Sequence, residues 1–279
     1  SFVKVLVALA SVGAGFDEDM SIFFDHTDAD IQGRIVGGTQ AANGAFPWMV
    51  AMLNGSNRSF LCGGSIITNR RVLTAAHCIA AAVTIGQNRT LYSRTLVVRV
   101  GTNRWASGGQ TINTNGFRNH PQYNANTIKN DIGVLMLASN INMNNAVRQI
   151  ALSWDNIGAN VASRVSGWGR TSTGGPLAAN LMQLNTNTID GNRCRTEVQR
   201  VGNQLNMRVP PVDPAIELCT FLATNRGTCN GDSGSALVRN SNNQQIGIVS
   251  WGLPCARGAP DMFVRVSAYR AWTDDNTLI

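Results

Sequence analysis

Three short segments, far apart in the chain, hold the residue types of nucleophilic catalysis. Near the C-terminus stands Cys229-Asn230-Gly231-Asp232-Ser233-Gly234. A serine hydroxyl is a weak nucleophile at its own pKa, so it needs a base beside it and donors for the oxyanion it creates. Gly231 and Gly234 let the backbone turn tightly and aim N–H groups at one point. Alone, Gly-Asp-Ser-Gly also suits an ordinary turn. Upstream, however, stand Leu73-Thr74-Ala75-Ala76-His77-Cys78 and Asn130-Asp131-Ile132-Gly133-Val134-Leu135. A histidine, an aspartate and a serine in that order are the parts of a triad in which His77 takes the Ser233 proton and Asp131 fixes the imidazole.

Asp131 is singled out by its isolation, because no Asp or Glu lies between Ile31 and Asn130. An apolar run, Ile132 to Leu137, follows it. A buried carboxylate is expensive without a partner, and His77 is the evident one. The alternative is an aspartate in a surface turn. The other two histidines are weaker candidates. His26 lies in an acidic N-terminal segment, and His120 precedes Pro121 in a polar stretch that reads as surface.

The elements that must carry these residues read as β-structure. Apolar residues make up 43% of the 279, enough for a substantial core, and charged residues only 14%. Short β-branched runs such as Thr95–Val100 and Gln245–Val249 alternate with Gly- and Asn-rich turns, which argues for all-β barrels over βαβ units. Val266 to Ile279 reads as one terminal helix. At the other end, Phe2 to Ala14 carries one positive charge, a short apolar run and small residues, the pattern of a secretory signal peptide over residues 1–14. No stretch is long enough for a transmembrane helix, so no membrane association is expected. Six cysteines in a secreted chain suggest disulfides, with fifteen pairings open to the sequence alone. No Cys-x-x-Cys pair occurs, which disfavours a Cys/His metal site.

Charge is unevenly spread. Residues 15–34 carry six acids against one base, Arg34, whereas residues 35–279 carry 21 bases against ten acids, a balance of +11. The bases are scattered and follow no nucleic-acid motif, so no nucleic-acid partner is expected. Of the 23 bases, all but Lys4 and Lys129 are Arg, and only three Tyr occur. Arg stays charged well above the pH at which Lys and Tyr titrate. Such a surface suits alkaline fluid, and a lineage bias in composition would produce it equally well.

From Ile35 to the C-terminus the chain resembles the chymotrypsin/trypsin-like serine endopeptidases. Arg34-Ile35-Val36-Gly37-Gly38 is similar to their activation junction, Cys62-Gly63-Gly64-Ser65 precedes the histidine motif at their spacing, and Ser166-Gly167-Trp168-Gly169 and Ser250-Trp251-Gly252 follow in order. Ser235-Ala236 departs from the usual Gly-Pro after the nucleophile motif. The resemblance implies two antiparallel six-stranded β-barrels with a C-terminal helix, one over about 35–146 and the other over about 147–279. It implies the disulfides Cys62–Cys78, Cys194–Cys219 and Cys229–Cys255. The oxyanion donors would be the amides of Gly231 and Ser233. Residues 15–34 would be an acidic activation propeptide, removed by a trypsin-like protease at Arg34, whereupon the new Ile35 ammonium would pair with Asp232.

The family's primary pocket would comprise Gly227, Thr228, Ser250, Trp251, Gly252 and Asp261. A glycine at its base with an aspartate on its wall resembles the collagenolytic digestive proteases of crustaceans, which implies cleavage after large apolar residues and, more weakly, after Arg or Lys. Some relatives bind calcium after the catalytic histidine, but residues 78–130 offer no carboxylate, so no metal and no cofactor are expected. Three short acceptor patterns for N-glycosylation begin at Asn54, Asn57 and Asn88. The resulting expectation is a secreted, monomeric, extracellular zymogen, acting on proteins and peptides in an alkaline gut lumen and subject to protein protease inhibitors. A cascade-activating protease is the alternative within the enzymes. An inactive binding protein of the same fold is the alternative outside them, disfavoured because all three triad residue types are present.

Overall fold

The computed structural model describes residues 35–85, 96–170, 172 and 175–277. The expected signal peptide, propeptide and Arg34, and the acceptor Asn88, lie outside these. A two-residue strand β1 (Thr39–Gln40) comes first. Six strands then close a barrel: β2 (Met49–Asn54), β3 (Phe60–Thr68), β4 (Arg71–Thr74), β5 (Leu96–Val100), β6 (Gln110–Asn119) and β7 (Gly133–Leu137). Their order around it is β2-β3-β4-β7-β6-β5. Every pairing is antiparallel. Val50, Ile66, Val72, Val98 and Leu135 share one face of these strands and, like Leu73 and Val134 on the other, are fully buried.

The second barrel uses β8 (Ala162–Gly167), β9 (Met182–Ile189), β10 (Glu217–Thr220), β11 (Ala236–Arg239), β12 (Gln245–Gly252) and β13 (Asp261–Arg265). The order is β9-β10-β13-β12-β11-β8, and β8 pairs back onto β9 to close it. Strand β9 shows the half-buried alternation plainly: Leu184, Thr186 and Thr188 face in, and Asn185 and Asn187 face out. The expected two-barrel, all-β architecture is the one the chain adopts. All three expected disulfides are formed.

Two segments cross between the barrels. Strand β1 pairs with β9, and Ile35 sits fully buried in the core of the second barrel, so the first described residues belong with it and not with the first. At the other end, Arg71 of β4 donates to the Asn276 carbonyl, tying the C-terminal helix back to the first barrel. The expected single terminal helix is two pieces, a 3-10 turn over Val266–Tyr269 and then an α-helix over Arg270–Thr277.

Two further helices break the all-β pattern. Helix α1 (Ala76–Ile85) follows β4 directly. Helix α2 (Gly191–Gln204) is capped by Asp190, whose side chain accepts from the Asn192 and Arg193 amides, and it buries Cys194, Val198 and Val201 on one face. No helix among the described residues is long and apolar enough to cross a membrane.

Candidate active site

His77 is the second residue of α1, and Asp131 stands just ahead of β7. Strands β4 and β7 are neighbours, with Thr74 opposite Gly133, so both residues leave the first barrel at the same end. Asp131 Oδ1 accepts from the His77 amide at 2.8 Å, and Oδ2 lies 2.7 Å from His77 Nδ1. A carboxylate only accepts, so Nδ1 carries a proton, and in the neutral ring Nε2 is the nitrogen with the lone pair. Both side chains are buried. Ser250 of β12 adds a third donor, its hydroxyl 2.6 Å from Asp131 Oδ2. The family resemblance implies a place for Ser250 in the substrate pocket. It lines the cavity there and also reaches across the barrel interface to Asp131, a role that no local pattern could reveal across 119 residues.

Ser233 lies in the turn before β11. Its carbonyl accepts from the Gly63 amide at 2.8 Å, and Gly63 adjoins Cys62, which is bonded to Cys78 beside His77. The Ser233 loop is thereby tied to the histidine segment. Gly231 and Gly234 have φ of 97° and 81°, a region closed to most side chains. A Cβ on Gly234 would also strike the Gly63 carbonyl and the Thr74 hydroxyl. The amides of Asp232, Gly234 and Ser235 donate to the carbonyls of Cys229, Val249 and Asp232. Those of Gly231 and Ser233 donate to no protein group among the described residues. Two unengaged donors flanking a serine are what a developing oxyanion requires.

Asp232 is fully buried, and its carboxylate accepts only from backbone: Gly169 N at 2.9 Å and Cys229 N at 3.0 Å. Burial pushes its pKa up to about 7 against the pull of those two amides. No cation pairs with it among the described residues. Asp261, on β13, is held alike. Oδ2 accepts from the Thr228 amide at 2.9 Å, and burial again raises the pKa to about 7, with the Thr228 bonds opposing and the charge of Asp232 adding. Gly227 makes room for this carboxylate, since a Cβ there would lie 2.8 Å from Oδ2. On the other side, the Cβ position of Gly252 is 3.6 Å from Oδ1.

A narrow cavity beside Ser233 is lined by Thr228, Ser250, Trp251 and Gly252, four of the six residues that the resemblance implies for the pocket, and also by Asn230 and Leu253. Gly227 and Asp261 are not among the residues that line it. Past Val249, β12 pairs with β13 alone among the described strands, which leaves its other edge open over Ser250–Gly252 next to this cavity. An open strand edge accepts an extended peptide as an added strand.

Cys62, His77 and Cys78 bring potential metal-ligand atoms within 4.8 Å of one another. Both sulfurs are spent in the Cys62–Cys78 disulfide, so the cluster offers one imidazole and no thiolate. His120 is half-buried, not the loose surface residue its sequence suggests. Its ring packs 5.2 Å from Tyr269 and 5.5 Å from Trp272, and burial lowers its pKa.

Two six-stranded barrels with a buried Asp–His pair and a serine turn at their junction are the framework of a serine endopeptidase. The family model described as Trypsin matches residues 35–273. Trypsin alpha-4 of Lucilia cuprina is 33% identical over 273 residues, covering 97% of this chain and 96% of its own. Trypsin beta and trypsin delta of Drosophila erecta are 33% and 34% identical over 248 residues, each covering 88% of this chain and 89% of their own. The chain belongs to the trypsin family and is a serine endopeptidase, a hydrolase of peptide bonds.

Proposed function

We propose that Ser233, His77 and Asp131 are the catalytic triad of a secreted digestive endopeptidase made as a zymogen. The observation that carries this is the Asp131–His77 pair, bonded at 2.7 Å and 2.8 Å, beside a serine flanked by two unengaged amides. His77 Nε2 takes the Ser233 proton as Oγ attacks the scissile carbonyl. The amides of Gly231 and Ser233 receive the oxyanion. His77 then protonates the leaving amine, and water, deprotonated by the same imidazole, hydrolyses the acyl-enzyme. Ser250 helps Asp131 hold the imidazole.

Activation follows from Asp232. A buried carboxylate without a counter-charge is costly, and an ammonium made by cleavage at Arg34–Ile35 would supply one. Ile35 is already buried in the same barrel. For specificity, Gly252 leaves the cavity wall without a side chain, which suits large apolar groups, while the space beside Gly227 is filled by the Asp261 carboxylate. Asp261 behind them meets a long cation when one enters. The fly trypsins among its relatives, a leader of signal-peptide type and an Arg-rich surface support a role in an alkaline gut lumen. Labelling by an organophosphate serine reagent tests the site. Ser233 should be modified once the chain is cut at Arg34, and modification of another serine, or none, overturns the assignment.

A further inference from the structure

Residues 35–279 contain a single Lys among 21 bases. That one exception, Lys129, is the partner of a buried acid. Its ammonium lies 2.8 Å from Glu217 Oε1 on β10, with side-chain exposures of 14% and 5%. The same Oε1 accepts from the Trp251 indole N–H at 2.7 Å, and Oε2 accepts from the Asp213 amide at 2.6 Å. Three donors therefore surround one carboxylate. The Lys129 ammonium also stands 5.2 Å from the centre of the Trp251 ring. A compact point charge can serve the carboxylate and the ring face together, whereas a planar guanidinium is shaped for paired acceptors.

The neighbours of Lys129 give the arrangement direction. Ile128 and Asn130 have φ of 50° and 54°, and a β-branched residue in that region is strained. Ile128 packs in the same buried cluster as Trp251. The next residue after Asn130 is Asp131. On the other barrel, Trp251 follows Ser250, which bonds Asp131, and it lines the cavity beside Ser233 at the open edge of β12. The barrels are thus joined twice within a few residues, once through Asp131 and once through Lys129.

We propose that Lys129 and Glu217 are positioning residues that lock the Trp251 indole, and with it the Ser250–Gly252 edge on which a bound peptide extends. The inference rests on the reading of that cavity as the peptide-binding cleft. The pair touches no reacting atom. Its effect falls on substrates long enough to lie along the edge, and it appears in KM more than in kcat.

The test compares a tetrapeptide amide with a single-residue ester sharing the same residue before the scissile bond, on enzyme cut at Arg34 and titrated with the serine reagent. Lys129→Met should raise KM for the tetrapeptide about tenfold and for the ester less than about twofold. The double variant Lys129→Met/Glu217→Gln keeps an acceptor for the Trp251 N–H without a stranded charge, so it should recover most of the lost KM. Equal losses on the two substrates, no change in the tetrapeptide KM, or a double variant no better than the single overturns the inference. If Lys129→Met does not fold, Lys129→Met/Glu217→Leu, which removes the acceptor of the Trp251 N–H without stranding a charge, carries the test against wild type. A tetrapeptide KM raised about tenfold with the ester changed less than about twofold supports the proposal, and a tetrapeptide KM within about threefold of wild type overturns it. Wild-type enzyme that does not label at Ser233 instead breaks the site assignment, and the inference with it.

Discussion

Asp131 and Asp232 are both buried carboxylates at the barrel junction, and their surroundings differ. Asp131 is met by an imidazole, a backbone amide and a hydroxyl, drawn from both barrels. Asp232 is met by two backbone amides, and burial lifts its pKa to about 7. The first site is complete within the described residues. The second has hydrogen bonds but lacks an opposing charge, and amide dipoles alone do not offset the loss of water. A site so built gains from a cation, which is why we connect it to the new N-terminus.

Removing each carboxylate's charge breaks the comparison most directly. Asp131→Asn should leave the fold intact and lower kcat by about 10⁴, the size found when a triad histidine is held in the wrong tautomer. Steady-state rates on an ester and an amide check it, and a loss below tenfold would remove Asp131 from the triad. Asp232→Asn should cost about 10²–10³ in kcat, the scale of a lost oxyanion donor, because it disorders the loop bearing Gly231 and Ser233. Arg34→Gln, which blocks cleavage, should leave a folded chain with an activity loss of at least that size. Full activity of uncut Arg34→Gln protein would end the zymogen account.

Asp261 sharpens the comparison, since it too is backbone-held with its pKa near 7. Asp261→Gly should lower kcat/KM after Arg or Lys by about 10–10² and spare cleavage after Leu or Phe, given the strength of a charge-assisted contact. A mixed peptide library gives both values at once. Unchanged cleavage after basic residues would show that Asp261 serves only the Thr228 backbone.

Stability against pH separates the two states of Asp232. Its pKa in the uncut chain is raised, to about 7 from an ordinary value of 3.8. The folded state therefore holds the proton that the unfolded state has released. The protonated group's favourable contribution is full below about pH 4 and is lost as pH rises through 7. Pairing with the Ile35 ammonium would remove that loss. The Tm of cut enzyme should then exceed that of uncut Arg34→Gln protein by a margin that widens by ~5–10 °C from pH 4 to pH 8. A constant margin would contradict the pairing. The smallest effect belongs to an aspartate far from the cleft. Asp190→Ala removes the α2 cap and should cost about 1 kcal/mol in urea unfolding, with no change in kcat.

Much of this was legible in one dimension. All-β barrels follow from short β-branched strands between Gly/Asn turns, while the resemblance to a known family implies that there are two, and β9 alternates from Met182 through Thr188. The triad candidates were legible because each sits in a locally unusual setting: a serine between glycines, a histidine beside a cysteine, one acid in a stretch of about a hundred residues without another. Helix α2 could also have been found, since Asp190 is a cap residue and Cys194, Val198 and Val201 repeat at helical spacing. Helix α1 could not, because Ala76 to Ile85 is apolar on nearly every side and carries no period.

The sequence by itself determined the chemistry available, the strand content and the basic surface, because these depend on residue type and near-neighbour spacing. The pairing of cysteines was different, and the sequence alone admitted every combination. Only tertiary structure decided which of several buried acids has which partner. Ser250 reaching Asp131, Glu217 gathering Lys129 and Trp251, and Asp261 filling the space left by Gly227 all join positions 34 to 119 residues apart. Their energies depend on distance and burial across the barrel junction, and neither exists until both barrels have closed.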